Sequence, residues 1–466
     1  MSDGSPAASP IAAGLPASAA LAREGASPLG QFAWALFDGA RSPYNVLVNI
    51  FVFSAYFSTV VIPDPVRGQA TWSFITSMAA LLVALGAPVL GAIADAGGRR
   101  KPWLAGCLVL GIPSMCLLWL ATPGMTAGLW IVIAGLIGAY LFFEYSWVFV
   151  NALLPNVAPP GRIGFLSGAG LALGNLSGII LFLFFLYAWS WNPQPLFGLD
   201  PSAYEPERAV GLLAAVWMAV FGLPLFFFTP DSPGTSLPVG RAVREGLGNL
   251  LQTLKRVRDY RNVAVFLLAR LLFNEGFIVL MLFTGVFAAG ILKWNSTMLI
   301  AEGLINSVVA VLAALFAGWL DTRIGSKRAC MFFVGGCLLG NLILCSVTPE
   351  MVFFIPVEPP AVASTSLFPT LPDKVFLVTQ CSIAFFVTGG IVTSRALMAK
   401  ISPRSMLAEF FGLFAVSGTA ATFVGPAAIG LLTTLFQSQR AGVAVGVVFL
   451  LAGLLVMIKV REQPSA

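Results

Sequence analysis

The chain contains no histidine, which removes imidazole metal ligands, histidine-based catalytic triads and a histidine proton relay. Charge is scarce: only 10% of the 466 residues are Asp, Glu, Lys or Arg, against about a quarter in a soluble domain. The six cysteines all fall in apolar runs and none is spaced Cys-x-x-Cys, so neither a disulfide framework nor a thiolate metal site is expected. No Gly-Lys-Ser/Thr loop is present to hold nucleotide phosphates, which argues against ATP-driven pumping. No cofactor is implied. No nucleophile and base come together facing water, which argues against an enzyme. The formal net charge of +6 is spread over short loops, which is no footprint for nucleic acid. Residues 1–30 lack the basic region and apolar core of a secretory signal. They are rich in Ala, Pro, Ser and Gly and read as a disordered cytoplasmic tail.

What is present is apolar sequence: 58% hydrophobic residues and a mean hydropathy of +0.90. A bilayer core of about 30 Å needs roughly 20 helical residues to cross it. On that criterion the chain carries twelve spans, at about 32–62, 71–95, 102–122, 127–153, 163–190, 208–229, 262–290, 295–320, 329–347, 375–399, 409–436 and 441–459. The expected fold is therefore all-α and polytopic, with the lipid bilayer as its obligatory partner. Eighteen Lys and Arg fall on the side of the N-terminus and five on the other. That bias places both termini in the cytoplasm. The longest polar segment, 230–261, follows the sixth span. Val243, Leu247, Leu250, Leu251 and Leu254 recur there at helical spacing with bases opposite, as in an amphipathic helix on the inner leaflet; an ordinary solvated linker is the competing reading. It divides the chain into bundles at 31–229 and 262–460, followed by a cytoplasmic tail at 461–466.

The halves echo one another. Phe37-Asp38-Gly39 in the first span lies loosely on Asn274-Glu275-Gly276 in the seventh, and "GAIADAGGRRKPW" after the second on "GWLDTRIGSKRAC" after the eighth. Paired six-helix halves are the architecture of secondary transporters that rock about a midplane site. The stretch Gly91 to Lys101, Gly-x3-Asp-x2-Gly-Arg-Arg, resembles the loop between spans 2 and 3 of the major facilitator superfamily. It reads as a gating latch. Asp95 can accept hydrogen bonds from a helix N-terminus, Gly98 permits the turn, and Arg99 and Arg100 can face a carboxylate such as Glu409. Asp321, Gly325, Lys327 and Arg328 repeat the pattern in the second half.

The resemblance narrows with "WALFDGARSPY", "LLPNVAPPGRIGFLSGAGLALGNLSG" and the run from Thr388 through "SRALMAKISPRSMLAEFFG". These are similar to the vacuole-effluxer family, the autophagy-related vacuolar permeases and their compact bacterial relatives. The resemblance implies the major facilitator fold, two pseudo-symmetric bundles of six helices, and efflux of amino acids. It departs at Phe37-Asp38, Ala40-Arg41 and Gly174-Asn175, where the family often has Tyr-Asp, Ala-Asn and Gly-Tyr. Compact loops point to a bacterial inner membrane protein.

Charges inside spans cost about 2.5–3.5 kcal/mol each at mid-bilayer, so those present are candidate site residues. Asp38 and Arg41, three apart, share a helix face and can pair, and Ser42-Pro43 behind them is expected to break the helix. A structural bridge at the membrane interface is the competing reading. Glu144 has no base within four residues and is the first candidate for carrying a proton; a bridge to Arg41 or Arg395 is the alternative. Glu275, beside Asn274 and one turn from Arg270, is its counterpart. Arg395 is the lone cation for an anionic substrate group. Asn45 and Asn175 could complete a cavity. Glu302 lies near enough to the outer surface to be solvated. The expected function is a monomeric secondary transporter moving a small polar solute by alternating access with protons; export of lipids or hydrophobic drugs is the alternative.

Overall fold

The computed structural model describes residues 26–97, 99–158, 163–231, 241, 244, 248, 260–358, 366–402, 410, 413, 414, 417, 418 and 421–462, apart from the side chains of 92–97, 155 and 163–165. The amphipathic helix expected at 230–261 lies almost wholly outside the described residues.

Among the described residues, eleven helices are long and apolar enough to cross a membrane and a twelfth apolar helix is shorter. Helices are the form such a chain must take, because hydrocarbon offers no partner to backbone N–H and C=O groups. The first bundle comprises α1 (Pro28–Val61), α2 (Pro65–Gly97), α3 (Lys101–Leu120), α4 (Leu129–Val157), α5 (Ile163–Phe184) and α6 (Glu205–Phe228). The second comprises α7 (Arg261–Leu282), α8 (Ser296–Ile324), α9 (Ser326–Ser346), α10 (Leu371–Ile401), α11 (Val424–Phe436) and α12 (Gln439–Ile458). The one departure from all-α is a hairpin between α9 and α10. Its strands, β1 (Met351–Val352) and β2 (Ile355–Pro356), are joined by Phe353 and Phe354 at positive φ.

Packing repeats between the halves. In the first, α1 packs on α5 and α6, α3 on α4 and α6, and α2 on α4; in the second, α7 packs on α11 and α12, α9 on α10 and α12, and α8 on α10. The bundles meet through α2 with α11 and α5 with α8, which are symmetry-equivalent pairs.

Two expectations need correction. The tail expected at 1–30 is shorter, since Ser27 caps α1, its Oγ accepting from the Gly30 amide at 3.2 Å, and Pro28 opens the helix. Ala26 is already buried and bonds through its amide to the Val157 carbonyl at 3.0 Å. Ser42-Pro43 does not break α1. The helix passes through Pro43 and widens to π geometry over Tyr44–Phe51, so its carbonyls find donors five residues on, as Leu47 does from Val52 at 3.0 Å. Widened turns of this kind are frequent at functional sites.

At the Lys- and Arg-rich face, called the basic face below, each bundle is closed by the same device. After α6, Asp231 Oδ1 accepts from the amides of Arg100 (2.9 Å) and Lys101 (3.3 Å) at the start of α3. After α12, Glu462 accepts from the amides of Ser326 (2.9 Å) and Lys327 (2.8 Å) at the start of α9. Each carboxylate answers orphan N–H groups and the positive end of a helix. Replacing Glu462 with Ala is expected to lower stability by about 1–2 kcal/mol, and Gln to recover part of it. Thermal unfolding in micelles measures both.

Candidate functional site

The ionisable groups of the first bundle converge about halfway along α1. Asp38 and Arg41 pair across one turn, Nη1 to Oδ1 at 3.9 Å. Arg41 is 9% exposed. Its guanidinium lies between the rings of Phe143 (4.0 Å) and Trp147 (4.2 Å) on α4 and reaches the Phe143 carbonyl at 3.5 Å. Two aromatic faces replace part of the hydration a cation loses in a bundle. The pair is thus enclosed between α1 and α4. Glu144, one residue beyond Phe143, and Asp38 both act electrostatically on Arg41, so one base serves two acids. α5 makes room for the acid: a Cβ added at Gly170 would lie 2.7 Å from Asp38 Oδ2, and Gly174 faces the Asp38 backbone. Asn175 is exposed beside it and Asn45 half-buried on α1.

The second bundle uses α7 and the segment leading into α11 in the same way with the charge reversed. Arg270 donates to the Phe414 carbonyl and to Ser417 Oγ (2.7 Å), with its guanidinium 3.5 Å from the centre of the Phe414 ring. Asn274 donates to the Gly418 carbonyl at 3.0 Å. Glu275 is 2% exposed and accepts from the Gly425 amide at 2.8 Å. Cβ atoms at Gly418 and Gly425 would meet Arg270 at 2.7 Å and Glu275 at 3.0 Å. Arg395 on α10 is exposed within its bundle's span, and its charge acts on Arg270. Among the described residues neither arginine pairs with an acid. Glu275 and Glu144 both lie within electrostatic reach of Tyr140 on α4. Glu302 is not solvated as expected: it is fully buried, and Asn306 donates to its Oε1 at 3.1 Å.

The hydrogen bonds between described residues that join one bundle to the other all lie in the half away from the basic face. Gln69 donates to Thr433 Oγ1 (2.8 Å) and the Gln439 carbonyl (3.0 Å), and Gln439 to the Pro65 carbonyl (3.0 Å). Ser77 donates to the Phe423 carbonyl (2.8 Å), Ser296 to Glu207 (2.8 Å), and Ser190 bonds Thr297. Beneath this seal, Tyr44, Asn49, Trp72, Thr76 and Tyr140 line a cavity of about 10 Å³, room for about one water molecule. The seal was not foreseen. Its only signal is an amide, Gln69, early in an apolar span.

Two bundles of six helices, sealed at one face over a midplane set of charges, have clear counterparts. The family description for Atg22-like vacuole effluxers matches residues 161–465. The chain belongs to the Atg22-like vacuole effluxer family. It is 22% identical to an uncharacterized MFS-type transporter of Bacillus subtilis, YxiO, over 93% of this chain and 95% of that protein. It is 25% identical to autophagy-related protein 22 of Cryptococcus neoformans over 63% of this chain, spanning about half (49%) of that fungal relative. A D-xylose–proton symporter structure superposes with a TM-score of 0.65 at 14% identity, covering 94% of this chain and 99% of that one. The protein is thus a multi-pass membrane transporter of the major facilitator fold, and not an enzyme.

Of the residues read as a gating latch, Gly91 faces Val148 of α4. Gly98, Glu409 and the Asp95 side chain lie outside the described residues. Arg99 is exposed, and Arg100 turns inward to donate to the Ala152 carbonyl of its own bundle. Asp321 accepts from Ser326 and from Lys400 Nζ at 3.1 Å, with Glu462 also 3.8 Å from Lys400. Gly325 ends α8 at φ +87°, Lys327 Nζ donates to the Ile458 carbonyl at 2.9 Å, and Arg328 is exposed. The caps Asp231 and Glu462 were missed, although each is the acid next after its bundle's last span.

Because one base serves two acids, Arg41→Met is expected to lower stability by about 3 kcal/mol. Adding Asp38→Asn and Glu144→Gln should recover most of that loss, since no unpaired charge then remains buried. Unfolding of the three proteins in the same detergent reads the difference.

Proposed function

We propose that this protein is a secondary active transporter that exports a small polar solute bearing an anionic group, by alternating access and in exchange for protons. The observation that carries this reading is the pair Arg270 and Arg395. Two cations that repel one another are held in a membrane bundle with no acid paired to either among the described residues. Such cations are costly at membrane depth unless a polar interior or a ligand meets them. A carboxylate or similar group on the solute would complete the balance. Amino acids fit this chemistry and are what the family resemblance implies.

Acids lie in both bundles: Asp38 and Glu144 near Arg41, and Glu275 on α7 against the Gly425 amide. They are the candidates for carrying the proton. Alternation between the sealed face and the basic face then exposes them to each side in turn. In this reading both termini are cytoplasmic, the membrane is the bacterial plasma membrane, as the Bacillus relative supports, and the monomer is the working unit. The latch residues at the basic face, Asp95 and Arg99 through Arg100 with Asp321 and Lys327, govern the opening of that side.

Purified protein in liposomes, screened by counterflow against amino acids, organic anions, sugars and peptides, tests the reading. Arg395→Gln is expected to reduce uptake of the accepted solute at least tenfold. If the accepted substrates are apolar and Arg395→Gln leaves them unchanged, the protein is instead an exporter of lipids or hydrophobic drugs. Glu144→Gln should abolish proton-driven accumulation while sparing exchange. Coupling that survives in each of Glu144→Gln, Glu275→Gln and Asp38→Asn would remove the proton from the mechanism.

A further inference from the structure

We propose that a basic notch at the ends of α7, α9 and α12, remote from the transport chamber, holds the phosphate-bearing headgroup of an anionic membrane lipid. The notch is an open cleft of about 1170 Å³ lined by Arg261, Lys327, Arg328, Lys459 and Arg461, with Glu462 as its acid. Glu462 offsets one of these charges while its two oxygens accept from the amides of Ser326 and Lys327. Among the described residues the cleft is therefore lined by five cations and one acid, a clear excess of positive charge.

Pseudo-symmetry separates this cluster from the ordinary surplus of bases at this face. At the start of α3, Arg100 and Lys101 match Lys327 and Arg328 at the start of α9. Orientation in the membrane accounts for both sets alike. The remaining three bases have no such counterpart. α1 opens with Pro28-Leu29 where α7 opens with Arg261-Asn262, and α6 is followed by Thr229-Pro230-Asp231 where α12 is followed by Lys459-Val460-Arg461-Glu462. The first bundle has the carboxylate cap without the surrounding positive charge. Arg261, Lys459 and Arg461 are additions at one site.

The floor of the notch identifies the ligand as an amphiphile. Val265, Ile324 and Ile458 line it, and Ile458 is 57% exposed. On α7 the stripe runs Arg261, Val265, Leu268 at i, i+4 and i+7, and on α12 Leu455 and Ile458 lie three apart; Leu268 and Leu455 are about half exposed. Basic rim thus passes without interruption into apolar surface that continues toward the hydrocarbon. A soluble phosphate would use the rim alone, whereas a lipid uses both. Clustered bases at the membrane surface attract anionic headgroups at about 1 kcal/mol each.

Native mass spectrometry of the full-length protein, titrated with phosphatidylglycerol or phosphatidylcholine, tests this. Wild type is expected to retain phosphatidylglycerol in preference. The variant Arg261→Ala/Lys459→Ala/Arg461→Ala should bind it about 100-fold more weakly, three bases at about fivefold each. Arg261→Lys/Arg461→Lys should bind as wild type does, and matching melting curves establish that every variant is folded. The proposal fails if the triple-alanine variant retains the lipid, or if inorganic phosphate displaces it. It also fails if removing two bases at the sealed face, Arg67→Ala/Lys374→Ala, weakens binding as much.

Discussion

Hydrocarbon supplies no hydrogen-bond partner and no counter-charge, so every polar group carried into the bilayer must be answered by the protein. The arrangement of this chain follows from that constraint. Arg41 is the clearest case, with an acid one turn away, a second acid on the next helix and an aromatic ring on each side. A guanidinium so placed cannot leave its site without stranding two carboxyls. α1 and α4 are thereby held together within the first bundle. The tie from Trp34 Nε1 to the Val150 carbonyl at 2.9 Å works in the same direction.

Both halves set charged side chains against glycines. In the first, glycines of α5 let the Asp38 carboxylate lie against a helix; in the second, Gly418 and Gly425 do the same for Arg270 and Glu275. A side chain at these positions would push the charge off the helix and leave it without its neighbours. The glycines thus serve close approach and not flexibility. The repetition also explains why the halves can share one set of helix contacts while diverging in sequence. What the halves share is a glycine where a charged side chain comes close to the neighbouring backbone.

Most of the architecture was legible because the bilayer imposes a length and a composition on each span, and because acids and bases inside spans are too costly to be incidental. Asp38 with Arg41, and Glu275 with Asn274, were readable from local spacing alone. What escaped depended on partners distant in sequence. Nothing local marks Asp231 or Glu462 as helix caps, since the amides they accept from lie about 130 residues earlier. Glu302 misled for the same reason. Six residues from its helix start it counts as superficial, yet it is fully buried, with α5, α9 and α10 packed on α8. The widening of α1 after Pro43 was missed because a proline signals the loss of one hydrogen bond without saying how the chain recovers it.

The chemistry of the seal bears on how such a molecule can alternate. Its bonds join amides, hydroxyls and backbone carbonyls, with Glu207 as the single acid. Neutral hydrogen bonds of this kind contribute about 0.5–1.5 kcal/mol net, because water takes the same partners when they part. A seal of buried ion pairs would behave otherwise, for breaking one leaves an uncompensated charge at a cost of about 3–5 kcal/mol. The Arg41 pairing thus lies inside a bundle and the weaker hydrogen bonds lie between bundles, so parting the bundles at the sealed face costs less than parting the helices around Arg41.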